Sequence, residues 1–84
     1  MLAPMSGIDQ LLTLARVYAA AEGVGLTTVS ARVFDDGKKL SAIEHGADIQ
    51  VRRYEKALRW FAQNWPAEAQ WPSEIERPAL EDAQ

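Results

Sequence analysis

The sequence predicts an all-α fold: a small bundle of four to five helices, followed by an irregular C-terminal arm rich in tryptophan and proline. Three observations predict it. Apolar residues recur three and four positions apart in four successive segments, the spacing of one buried helical face. Residues that cap helices stand at the ends of those segments, among them Ser6, Gly23, Gly46 and Asp48. Beyond Asn64 the periodicity stops, and Trp65-Pro66 and Trp71-Pro72 take its place. The division this implies is a helical domain over 1–64 and an acidic arm over 65–84, packed on the domain and frayed at its end.

The first helix is expected from about Gly7 to Glu22, with Ser6 as N-cap and Ile8, Leu11, Leu12, Ala15 and Tyr18 on its buried face. Gly23 and Gly25 supply its end and a bend. Leu26 to Phe34 is β-branched enough for a strand, but Leu26, Val29, Val33 and Phe34 are spaced for a second, short helix. Asp35-Asp36-Gly37 reads as a turn, because Asp caps and Gly permits a positive φ. Lys38 to His45 forms a third helix with Leu40 and Ile43 inward, ending at Gly46. Asp48 is set to cap a fourth helix reaching about Asn64. Its expected buried stripe is Val51, Tyr54, Leu58 and Phe61, while Arg52, Lys56, Arg59 and Gln63 line another face and Glu55 can pair with Arg59. In the arm, each proline biases the tryptophan before it toward extended backbone, with one helical turn expected near Ser73–Arg77.

An 84-residue chain is one lean domain with a small margin of stability. It has no cysteine, which excludes disulfides and thiolate-bound zinc. The first residues, MLAPMSG, carry no basic side chain and do not resemble a signal peptide, and no apolar run is long enough to span a bilayer, so the expected location is the cytoplasm with no membrane partner. Net charge is −3, unevenly spread. Between Ser30 and Trp60 lie seven of the nine basic residues against five acids; from Pro66 onward five acids face Arg77 alone. A weakly basic middle therefore precedes an acidic tail.

Catalytic chemistry is not expected. With His45 the single histidine, no histidine-based metal set can form, and no cofactor is implied. Ser41, His45 and Asp48 lack the nucleophile elbow and oxyanion hole that a triad needs. His45 suits a helix end, where a partial positive charge complements the C-terminal dipole. Gly23 and Gly25 lack the remainder of a phosphate-binding loop. The pair Asp35-Asp36 is better explained by capping than by acid–base work.

The informative stretch is Leu26 to Phe61. Leu40, Ile43, Glu44, His45 and Gly46 follow one another as apolar, apolar, Glu, X, Gly, and upstream Val29, the small Ser30 and Val33 fall in register with them. In this order the stretch resembles the lambda-repressor/Cro-like helix-turn-helix family, with the strongest likeness over Leu40 to Phe61. The resemblance implies that the third helix lies in the major groove of double-stranded DNA. Lys38 and Lys39 would stand at its N-terminal end and Ser41 and Ala42 one turn on, placed to meet base edges or phosphates. Thr27 and Thr28 at the start of the second helix would contact phosphate, and Arg52 and Arg53 would hold flanking phosphates. Where the family commonly has glycine in its turn this chain has Phe34, and the nearest glycine is Gly37, so a rebuilt or longer turn is expected. Such a module makes few contacts alone, so a homodimer is implied.

A second class of function is open. The negative charge, the acidic tail and the aromatic arm also suit a protein-interaction module of antiactivator or antitoxin-like kind on the same scaffold, with Trp65 and Trp71 as partner-binding residues. The two tryptophans could equally pack on their own domain or exchange between subunits. An arm lying over Lys38 and Lys39 favours protein interaction; an open third helix favours DNA.

Overall fold

In a computed structural model that describes residues 6–78, the chain forms four helices: α1 (Gly7–Glu22), α2 (Leu26–Phe34), α3 (Lys39–Glu44) and α4 (Val51–Asn64). The expected fraying of the last residues lies outside the described residues, as do Glu81 and Asp82. No strand occurs among the described residues, so the helical spacing of Leu26–Phe34 prevails over its β-branched composition. None of the helices is long and apolar enough to cross a membrane.

Local chemistry sets the helix ends. Ser6 accepts a hydrogen bond from the Asp9 amide at 3.1 Å, satisfying one of the four free amides of the first turn of α1. Gly23 closes α1 at φ 70°, a left-handed conformation that glycine adopts without a Cβ penalty. Gly46 does the same for α3 at φ 106°. There the Ala47 amide reaches Ala42 O at 2.9 Å and the Gly46 amide reaches Ile43 O at 3.1 Å, the paired bonds of a Schellman end.

Helix α4 begins later than its capping signal suggests. The chain runs from Gly46 to Gln50 without regular structure, and Gln50, not Asp48, is the N-cap. Its extended backbone (φ −65°, ψ 147°) is right for a cap, but its side chain makes no capping bond, and the first turn of α4 carries no acid. Replacing Gln50 with Asp is expected to raise stability by about 1 kcal/mol, since Asp can bond the free amides and complements the positive helix end. Urea denaturation measures this directly.

Helix α2 packs against α1, α3 and α4, and helix α1 likewise packs against α2, α3 and α4. Its buried face is correspondingly wider than the expected stripe: Leu14 and Ala19 join Leu11, Leu12, Ala15 and Tyr18, and Ile8 is half-buried. Val29, Leu40, Ile43, Ala57 and Phe61 complete the centre. In α4 the expected stripe shifts. Phe61 is fully buried and Tyr54 and Leu58 are half-buried, but Val51 is 71% exposed. Ala57 and Ala62 take the inward positions, because small side chains let α4 approach its neighbours closely. The Tyr54 hydroxyl donates to Gln10 Oε1 at 3.2 Å, and partial burial pushes its pKa above the usual phenol range, keeping the donor proton in place. The expected Glu55–Arg59 pair is absent; the ion pairs among the described residues are Arg16–Glu44 and Arg32–Glu22.

The arm folds as one turn used twice. Trp65-Pro66-Ala67-Glu68-Ala69 and Trp71-Pro72-Ser73-Glu74-Ile75 each close with a backbone bond to the proline carbonyl, from Ala69 at 3.1 Å and from Ile75 at 3.2 Å. In each, the tryptophan Nε1–H donates to the carbonyl four residues on, at 2.9 Å (Ala69) and 2.8 Å (Ile75). The helical turn expected near Ser73–Arg77 is thus replaced by this tryptophan-capped turn. The indoles stack edge to face at 4.9 Å, Trp65 reaches Phe61 and Tyr18, and Ile75 is buried. Arg77 fixes the far end, donating to Ala62 O at 2.8 Å with its guanidinium 5.0 Å over the Trp71 ring.

Candidate nucleic-acid interface

Helices α2 and α3 are joined by residues 35–38, and one buried hydroxyl organises the junction. Ser30 has no exposed surface. Its Oγ accepts from the Leu40 amide at 2.9 Å and donates to Asp36 O at 2.5 Å, so a side chain on α2 satisfies both the turn and an unpaired amide in the first turn of α3. The left-handed residue of the turn is Asp35 (φ 57°), immediately after Phe34. This explains how the chain turns without a glycine at Phe34: Asp is one of the few side chains that tolerates that backbone. Asp36 Oδ1 accepts from the Lys38 amide at 2.9 Å, an Asx-turn that occupies one carboxylate oxygen inside the junction. Gly37 has a different purpose. A Cβ there would stand 3.1 Å from the Thr27 methyl, so its absence lets the start of α3 approach the start of α2.

Most of the predicted contact residues are exposed around this junction. Lys38, Ser41 and Ala42 face solvent while Leu40 and Ile43 are buried beneath them. Lys39 is half-buried, with Nζ 3.4 Å from Asp48 O. Thr27 and Thr28 are exposed in the first turn of α2, and Thr27 is brought against the turn at Gly37. Arg52 and Arg53 are exposed on α4. The Arg53 guanidinium lies 5.6 Å over the Phe34 ring, at the opposite end of α2 from Thr27. The structure therefore gathers Thr27, Lys38, Ser41 and Ala42 around one junction, and sets Arg53 at its far flank.

Charge at the junction is mixed, with Asp35 and Asp36 exposed beside Lys38. Glu44, the acid within α3, is held by Arg16 of α1 at 2.8 Å. Among the described residues no ion pair involves Lys38, Lys39, Arg52, Arg53, Lys56 or Arg59. His45 donates from Nδ1 to Ser41 O at 2.7 Å, reinforcing the end of α3 as a helix-terminal residue would.

The described part of the arm, residues 65–78, lies elsewhere. Its bonds and ring contacts are with α1, α4 and itself: Tyr18, Phe61, Ala62 and the two tryptophans. Trp65 and Trp71 are half-buried, with their N–H groups bonded within the arm. Sequence reasoning missed three features: the double role of Ser30, the Arg16–Glu44 tie and the repeat of Trp-Pro-X-Glu-X. Only the last was visible as a pattern, in the six-residue offset between the two Trp-Pro pairs. Compared with known proteins, the chain matches no family model, no curated protein and no solved structure.

Proposed function

We propose that the chain is a small cytoplasmic DNA-binding regulator that reads the major groove of double-stranded DNA with the helix at about 38–45, α3 and its two caps. The observation that carries this reading is the open outer face of α3: Lys38, Ser41 and Ala42 exposed above a buried Leu40 and Ile43, with no hydrogen bond or ring contact from the described arm residues, 65–78, to them. In this reading Lys38 and Ser41 meet base edges. Thr27, Thr28 and Lys39 contact the phosphate backbone, and Arg52 and Arg53 add flanking phosphate contacts. The helix-turn-helix likeness supports the same roles, with Asp35 supplying the left-handed turn residue. The protein-interaction reading through Trp65 and Trp71 is less well supported, because both indoles are engaged in the packing of their own domain.

The test is a fluorescence anisotropy titration of labelled duplex DNA flanking the protein's own gene. Neutralising about three phosphates, through Lys39, Arg52 and Arg53, predicts an affinity that falls roughly fortyfold between about 50 and 200 mM salt. Absence of binding at the lower salt contradicts the reading for that DNA and directs the search to a protein partner.

A further inference from the structure

Helix α4 and the end of the described arm meet at a recess of about 170 Å³ lined by Glu55, Leu58, Arg59 and Pro78. Pro78 is half-buried there, and its neighbour Arg77 ties the backbone to α4 by donating to Ala62 O at 2.8 Å. Pro78 is also the last described residue, so the chain continues from this recess into Ala79-Leu80-Glu81-Asp82. The ground it meets is basic. Arg52, Lys56 and Arg59 stand four and three positions apart, which puts them on one strip of α4, and all three are exposed. Among the described residues no ion pair involves any of them, and Glu55 is the one acid within α4.

We propose that residues 80–82 dock on this strip, Leu80 beside the half-buried Leu58 and the carboxylates of Glu81 and Asp82 over Lys56 and Arg59. Position, reach and charge name this segment as the occupant. It starts at the recess itself. An extended chain covers about 3.3–3.6 Å per residue, so Glu81 and Asp82 lie within about 10–14 Å of Pro78. At about 1.5 Å of rise per residue, Lys56 is only about 5 Å along the helix axis from Arg59. The segment offers one apolar residue followed by two acids, to a surface that offers Leu58 followed by cations. Single exposed ion pairs are weak, but a tethered segment acts at an effective concentration of about millimolar. The docking stands without the DNA reading. Its consequence rests on that reading, in which α4 supplies flanking phosphate contacts: the carboxylates compete with phosphate for the basic face and lower the affinity for DNA.

The experiment is paramagnetic broadening in the nuclear magnetic resonance spectrum of the full chain. Because the chain has no cysteine, an Ala83→Cys variant takes a nitroxide label at one place. The amide signals of Glu55 to Arg59 are expected to broaden more than those of α3 or the middle of α1. Adding Glu81→Gln/Asp82→Gln to the labelled chain should remove about half of that broadening or more, as should about 0.5 M salt, where screening acts over about 4 Å. The signals away from the label report that the fold is intact. Broadening strongest outside α4, or unchanged by the neutralising pair, overturns the proposal. Anisotropy with duplex DNA separates the consequence from the docking. The unlabelled Glu81→Gln/Asp82→Gln variant is expected to bind about tenfold more tightly than wild type at low salt. A wild type that binds DNA with a variant that binds no better overturns the competition. Should neither bind, the DNA reading fails and the label alone decides the docking.

Discussion

Phe61→Ala is expected to destabilise the protein by about 3–5 kcal/mol and to leave much of the chain unfolded at room temperature. Phe61 has no exposed surface and sits where three elements meet. Its ring stands 5.7 Å from Tyr18 of α1, 5.4 Å from Trp60 of α4 and 6.2 Å from Trp65 of the arm, in edge-to-face arrangements with each. Truncation removes the transfer energy of the ring and leaves a cavity that four helices and a tethered arm cannot collapse around. The aromatic contacts go with it, each contributing on the order of 1 kcal/mol. Total stability for a domain of this length is about 4–13 kcal/mol at the usual per-residue values, so the loss is a large part of the whole. Far-ultraviolet circular dichroism and urea denaturation measure it; a loss under about 1 kcal/mol would contradict the packing described.

Ser30→Ala has the second largest expected effect, and its consequence is more local. The substitution removes a few atoms but strands the buried Leu40 amide, while the Asp36 carbonyl keeps its bond from the Lys39 amide at 3.3 Å. Leaving that amide unpaired costs roughly 1–3 kcal/mol. The damage should concentrate in the turn and α3, because that six-residue helix has few bonds of its own to hold its start. Hydrogen exchange provides the local reading. The Leu40 amide should lose protection far more than amides in the middle of α1, and equal loss across the chain would argue that Ser30 is only a packing residue.

The two substitutions also mark what was legible in the sequence. Helix existence was, because α1 and α4 repeat apolar residues over several turns and Ser6, Gly23 and Gly46 carry unambiguous capping chemistry. The start of α4 was not. Asp48 has good capping chemistry two residues too early, and tertiary packing chose Gln50, which has little. Periodicity placed Val51 in the buried stripe because the spacing from Val51 to Tyr54 and Leu58 is correct for it; what the spacing cannot show is that Val51, at the first position of α4, stays 71% exposed. In the junction, Ser30 was recognisable as a small residue at a tight crossing, but its two bonds depend on where α3 lies in space. The left-handed Asp35 was hidden for a related reason: glycine is the strongest signal for that backbone, and the chain uses aspartate. The double Trp-Pro turn was written in the sequence, but its meaning needed the coordinates, since the indole N–H groups cap carbonyls that no local rule assigns to them.

The proposed DNA contact through the outer face of α3 is tested most directly by comparing the wild type with a Lys38→Ala/Lys39→Ala variant in the anisotropy titration. Lys38 is exposed and Lys39 only half-buried, so the variant should keep its circular dichroism spectrum and most of its stability. The expected result is an affinity at least about tenfold weaker, with a shallower dependence on salt because the phosphate-neutralising charge of Lys39 is gone. Duplex binding by the folded variant with unchanged affinity and salt slope would contradict it and take α3 out of the contact.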